Sequence, residues 1–342
     1  INWPVTDNSK QHLILGGGEK FLHPNVDPSL LSGIMLNPMQ QSEPSKIALF
    51  AGAQYTWKQW KSEEEAKKIN DIAFNFVENG HFEDSKVSAA FRELGKHMIN
   101  QNMDNRVVKL EESVDLAPKL TYFMTKLKAG QDVTAERAAL RAEFAKIKEA
   151  AELYKASGDK KMVAQIHYWL DNAIDQMNAL DAFLTGTEAM DTNDAAKLWD
   201  SYYKGLKLYE QSQTHTFHYV DHMEKAELGV QHIRPFILSL KEVLASEVQK
   251  VLHPDQIIST FITNRTGVEG GLAEVTDGDL ATHAIIKSPN SIKTGDYIGM
   301  KFNKPIAIQT LTFAMGTQAN PRDTFSKAEV QYQDENDNWV TL

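Results

Sequence analysis

The chain has 342 residues, a net charge of −10 and no cysteine, with 42% of its residues hydrophobic and 24% charged. That is the profile of a globular chain of two or three domains, and it excludes disulfides, thiolate zinc sites and cysteine nucleophiles. The acidic balance with no sustained Lys/Arg block argues against a nucleic-acid partner, and no apolar run approaches the roughly 18–20 residues that membrane insertion requires.

The chain opens INWPVTDN, which reads as the last residues of a buried strand and a polar turn. A loop around Gly16, Gly17 and Gly18 follows, and no Lys-Ser/Thr comes after it to make a phosphate loop. SGIMLN (32–37) has the length of a short buried strand and ends at Asn37-Pro38. SEPSKIALFAGAQYTW then reads as a helix, with Ser42 as N-cap and Pro44 in the first turn, where a missing N–H costs little. Strand, loop and helix in that order are the βα grammar of α/β proteins. One such unit after an incomplete one cannot close a sheet, so residues 1–56 read as cut from a larger domain.

Residues 57–252 carry a helical pattern. Ser62 and Glu65 form a capping-box signature before Ile69, Ile72 and Phe76. Leu140, Phe144, Ile147, Ala151 and Tyr154 make one apolar stripe, and Val163 through Leu184 and Ala195 through Tyr209 make two more. Such stripes are expected of an antiparallel bundle, with Gly130 and Gly158 as stops. A last helix is expected from near Thr214 to Val251, bent at Pro235. After His253-Pro254 short β-type runs (DYIGMKF, IAIQTLTFAM, KAEVQYQ, NWVTL) alternate with turn residues, which predicts a β-sandwich over residues 253–342.

Two stretches of the first region carry a family resemblance. NWPVTD resembles the Asn-aromatic-Pro-Val-x-Asp segment of glycoside hydrolase family 84, the retaining β-N-acetylglucosaminidases that include O-GlcNAcases and bacterial members named hyaluronidase. NPMQQSEPSKIALFAGAQYTW resembles that family's Asn-Pro-Met segment and the helix ending in Tyr-x-Trp. The C-terminal runs VTDGDLAT, DYIGMKFNKPIAIQTLTF and VQYQDENDNWVTL resemble a discoidin-type (factor 5/8 type C) module. The resemblance implies a multidomain chain: the end of a (β/α)8 barrel, an all-α helical bundle, and a partial discoidin-like β-sandwich that also reads as truncated.

In this family the substrate's own acetamide oxygen attacks the anomeric carbon, while one Asp orients the acetamide and its neighbour acts as general acid and base. No adjacent Asp-Asp pair occurs in this sequence. The resemblance therefore implies a C-terminal fragment with no catalytic residue of its own and no cofactor for catalysis. It assigns Asp7 and Asn37 to the sugar's hydroxyls and Asn2 to the pocket wall beside the catalytic pair, and it implies partners that are N-acetylglucosamine-containing glycans or glycoproteins and a secreted or cell-surface location in a bacterium. A non-catalytic glycan- or protein-binding scaffold is the competing reading.

Other candidates carry less. The TDGD turn could offer Asp277 and Asp279 to a structural Ca2+, against the simpler reading of an Asx-stabilised turn. HTFHYVDH puts His215, His218 and His222 at helical spacing, which could hold zinc, but no further ligand can be nominated and a polar helix face is the simpler reading. Trp339 and Tyr297 could be sugar platforms, but in strands they are expected to be buried.

Overall fold

The computed structural model describes residues 3–6, 12–18, 22, 24–98, 112–265, 268–269, 272–276, 281–286, 293–316, 327–334 and 338–342. Near the N-terminus Pro4 forms a parallel bridge with Asn37, and the Asn37 N–H donates to the Trp3 carbonyl at 3.0 Å. Trp3 is buried, and its indole donates to Gly16 O at 3.1 Å. Gly17 packs closely, since a Cβ there would lie 3.1 Å from Ala51 Cβ and 3.2 Å from Asn70 Oδ1 and the neighbours would have to give by a few tenths of an ångström. A 3-10 turn, Pro28–Leu30, is capped by the Asp27 carboxylate.

Helix α1, Ser42–Trp57, forms where its sequence predicts, with Pro44 in the first turn. Its cap differs from the expectation. Ser42 is already helical, and the N-cap residue Gln41 makes no side-chain cap bond. The Glu43 N–H donates instead to Gln165 Oε1 at 2.8 Å, from a helix 122 residues away. An orphan donor of the first turn is thus satisfied by tertiary contact, which no local pattern encodes.

Helix α2, Glu63–Asn79, is capped by Ser62 Oγ, which accepts from the Glu65 N–H. The reciprocal half of the box is shifted by one residue, since Glu65 Oε2 accepts from Lys61 N at 2.7 Å. Helix α3, Lys86–Gly95, carries a full box between Ser85 and Ser88. The bundle continues with α4 (Ala117–Lys128), α5 (Thr134–Ser157), α6 (Lys160–Asp191) and α7 (Ala195–Ser212). Gly130 and Gly158 follow α4 and α5 as stops.

The α5 stripe is buried throughout, as are Ile166, Leu170, Ala173, Met177, Leu180 and Leu184 of α6. Gly205 lets α7 approach α6, because a Cβ there would meet the Phe183 ring at 2.4 Å. Asn172, fully buried on α6, donates to Ser212 O and accepts the Leu228 N–H, both at 2.9 Å. Both ends of that amide are satisfied, so its burial is tolerated.

The expected helix from 214 to 251 is not formed. A hairpin of β1 (Thr216–Tyr219) and β2 (His222–Lys225) stands in its first third, paired from Thr216↔Lys225 to Tyr219↔His222. The physical reason is the alternation of TFHY, which buries Phe217 and leaves His218 out, together with a β-branched and aromatic content that favours strand. Val220, in the two-residue connection, has φ of 51°. A β-branched residue in that left-handed region costs on the order of 1–2 kcal/mol. Helix α8, Ile233–Leu252, starts after Gly229, whose φ is 67°. Pro235 lies in its first turn and helps begin the helix, so no bend needs to be assigned to it.

Beyond α8 the described residues form β3 (Ser259–Thr263), β4 (Val268–Glu269), α9 (Leu272–Thr276), β5 (Ile285–Ile286), β6 (Ile298–Phe302), β7 (Gln331–Gln333) and β8 (Trp339–Thr341). The strands pair antiparallel as β3–β6, β4–β5 and β7–β8. Neither a closed barrel nor a two-sheet sandwich is present among the described residues. Trp339 and Tyr297, expected to be buried, are 57% and 48% exposed. Tyr297 precedes β6 and is held by its backbone, whose N–H donates to Asn264 Oδ1 at 3.0 Å.

One half-buried carboxylate makes the bundle pH-sensitive. Burial pushes Glu242 of α8 up to about 7, with Lys128 and Lys241 opposing only in part. Burial likewise pushes Lys128 down, with Glu242 opposing. The folded state therefore holds a proton that the unfolded state has already lost, so stability falls as pH rises between about 4.5 and 7. Glu242→Gln is expected to stabilise the protein by about 1–2 kcal/mol at pH 8 and to flatten that slope. Urea midpoints across the pH range measure it, and an unchanged slope would count against this assignment.

Candidate functional site

Of the three residues assigned to the sugar, Asn37 lies within the described residues and Asn2 and Asp7 lie outside them. Asp277 and Asp279 of the calcium expectation also lie outside. Asn37 is exposed at the end of a short extended segment, with its backbone tied to Trp3. The residues after it are fixed in turn. Met39 is buried, its N–H donates to Ser45 Oγ at 3.0 Å, and its sulfur accepts the Ile14 N–H at 3.2 Å. The segment before Asn37 is itself largely exposed, not the buried strand its sequence suggests, with Met35 84% exposed, so the backbone bond to Trp3 and the buried Met39 are what fix the Asn37 amide.

The next residue carries the contact that sequence reasoning missed. Gln40 Nε2 donates to His218 O at 2.6 Å, and Gln40 Oε1 accepts the Val220 N–H at 3.2 Å. The side-chain amide thereby mimics a strand residue along the edge of β1. It joins the Asn37 loop to the hairpin tip across 178 and 180 residues of sequence. The alternation in TFHY was a signal for the strand, but nothing local signals its partner.

Elsewhere a buried polar junction joins the first residues to the bundle. Glu112 is 1% exposed and accepts from the Gln231 N–H at 3.2 Å, with His12 Nε2 at 3.6 Å. His97 Nδ1 lies 2.8 Å from Ser113 Oγ, and His97 O accepts from the Gly229 N–H at 3.0 Å. Burial alone would raise the Glu93 carboxyl, but hydrogen bonds from His97, Lys96 and Lys146 hold it well below the usual range. These groups anchor the fold and do not open on the Asn37 surface as an acid–base pair.

The histidine expectation is corrected by the hairpin. His215 Nε2 pairs with Asp175 Oδ2 at 2.8 Å, and His222 sits between Asp221 (2.9 Å) and Glu224 (3.4 Å). They share no helix face, and no cluster of three or more His, Asp or Glu fit for a metal occurs among the described residues. A separate open groove of about 370 Å³ between α7 and the end of α8 is lined by Trp199, Tyr202, Val248, Gln249, Leu252 and His253. No carboxylate is among the described residues that line it.

Residues 1–96, which hold Asn37, Gln40 and the α1 segment, match the beta-N-acetylglucosaminidase family model. This stretch is thus similar to that family. The family-84 likeness carried by NWPVTD and the Asn-Pro-Met segment is thereby borne out. The solved structure of CpGH84D is similar at 26% identity and a TM-score of 0.64, over 72% of this chain and 39% of that one. CpGH84B is similar at 22% identity and a TM-score of 0.57, over 70% of this chain and 38% of that one. A mutant form of the Thermobaculum terrenum O-GlcNAc hydrolase matches at 17% identity and a TM-score of 0.54, over 75% of this chain and 50% of that one. The last two speak to the fold alone. The mostly helical body of this chain thus resembles the helical region of the family-84 structures, and the chain spans 39% and 38% of the first two and 50% of the third.

Proposed function

We propose that this chain is the C-terminal portion of a retaining, substrate-assisted β-N-acetylglucosaminidase, carrying one wall of the sugar pocket and not the catalytic Asp pair. The observation that carries the reading is the family match over residues 1–96, within which the Asn37 loop is pinned beside Trp3. In this reading Asp7 accepts from the sugar's outer hydroxyls, Asn37 also contacts hydroxyls, and Asn2 lines the pocket beside the catalytic pair. The acetamide of the substrate supplies the nucleophile, and the Asp pair that orients it and transfers the proton comes from sequence upstream of Ile1. Residues 253–342 serve as an accessory module, N-acetylglucosamine-containing glycans or glycoproteins are the substrates, and the enzyme works outside a bacterial cell.

The test is hydrolysis of 4-methylumbelliferyl N-acetyl-β-glucosaminide by this chain and by the longer polypeptide of its gene. Turnover confined to the longer polypeptide is expected. Turnover by the 342-residue chain would place the catalytic carboxylates within it and overturn the assignment. Turnover by neither would favour the second reading, a glycan- or protein-binding scaffold, which the missing Asp-Asp pair already admits.

A further inference from the structure

We propose that the helical region holds the Asn37 loop in its working position through two glutamine clamps, with Gln40 and Gln165 as positioning residues for the sugar contact. The proposal rests on the reading of Asn37 as a sugar contact, and it adds what sets that contact in place.

The loop between Asn37 and α1 has few ties of its own. Asn37, Pro38 and Gln40 are exposed, and Gln41, the N-cap residue of α1, makes no side-chain cap bond. Nearby residues hold it at two backbone points, where the Asn37 N–H donates to Trp3 O and the Met39 N–H donates to Ser45 Oγ, both at 3.0 Å. The other ties come from far along the chain. Gln40 Nε2 donates to His218 O at 2.6 Å, and its Oε1 accepts the Val220 N–H at 3.2 Å. On the α1 side of the loop, Gln165 Oε1 accepts the Glu43 N–H at 2.8 Å, and its Nε2 donates to Ser42 Oγ at 3.1 Å. Each amide uses both a donor and an acceptor, so each clamp fixes orientation as well as distance.

Both clamps trace back to α6. Gln165 stands on that helix beside the fully buried Ile166. Trp169 follows Gln165 by four residues, on the same side of the helix. Its fully buried indole seats Phe217 of the hairpin, with ring centroids 4.6 Å apart. Successive turns of one packed helix thus hold the loop, once directly through Gln165 and once through the hairpin and Gln40. A binding group must be held to a fraction of an ångström to be fully effective, and rigid elements hold it better than a free loop does.

The experiment measures kcat/KM for 4-methylumbelliferyl N-acetyl-β-glucosaminide in the longer polypeptide of the gene, with Gln40→Ala and Gln165→Ala each made in the unmodified and the Asn37→Ala backgrounds. Each substitution is expected to lower kcat/KM by about threefold in the unmodified background, because partly exposed amides exchange with water cheaply. In the Asn37→Ala background each is expected to change it by less than about 1.5-fold, since the group being positioned is gone. Gln165→Glu, whose carboxylate still accepts the Glu43 N–H at a helix N-terminus, is expected to recover most of the loss. Equal losses in the two backgrounds would mark a general structural role and overturn the proposal. So would values within about 1.5-fold of the unmodified enzyme, and both results leave the glycosidase reading intact. Unchanged kinetics in Asn37→Ala alone would overturn the sugar contact and the clamps with it.

Discussion

Truncating Trp169 to alanine is expected to destabilise the protein by about 3–5 kcal/mol. The indole is fully buried on α6, the longest helix among the described residues, and it lies in the main hydrophobic cluster. Its ring meets Phe217 of β1 at 4.6 Å, so the substitution removes both a core side chain and the seat of the hairpin. Neighbours from several elements frame the space, which limits how far the site can collapse. Urea unfolding measures the loss, with Trp199→Ala as the internal comparison. Trp199 is 44% exposed and is expected to cost much less. Equal losses at the two tryptophans would contradict the packing described for Trp169.

The second large effect is on activity. In the longer polypeptide Asp7→Ala is expected to lower kcat/KM by about 30- to 1,000-fold, the equivalent of about 2–4 kcal/mol for a lost charged hydrogen bond. Asn37→Ala is expected to cost less, about three- to tenfold, because a neutral amide exchanges its bond with water more cheaply. The ordering is the informative part. Near-normal kinetics for Asp7→Ala would remove that carboxylate from the site, and a larger loss at Asn37 would reverse the roles assigned to the pair.

The helices were legible because their stripes are long and internally consistent. Leu140 to Tyr154 repeats over four turns, and every residue of that stripe is buried. The stretch from Thr214 misleads for the opposite reason. His215, His218 and His222 happen to fall at helical spacing, while the alternation that makes a strand occupies only Thr216 to Tyr219. Four residues cannot outweigh the helical pattern on either side. The cap of α1 was not legible either, since its acceptor comes from Gln165. At the site, Asn37 could be singled out only through a family likeness, because an Asn after a short strand is ordinarily a turn former. Gln40 carried no signal at all. Its partner is a hairpin edge that exists only once the bundle has assembled.

One hydrophobic cluster runs from Trp3 and Leu13 through Ile47 to Val248. The βα grammar and the helical pattern suggest a seam near residue 57, yet the core crosses that seam without interruption. The helical region is therefore not a part that could be exchanged on its own without disturbing the residues before the seam. A foreign bundle would have to arrive with a matching His12–Leu15 segment, an acceptor for the α1 terminus and an edge for Gln40. A substitution on one side of the seam is therefore felt by the packing on the other.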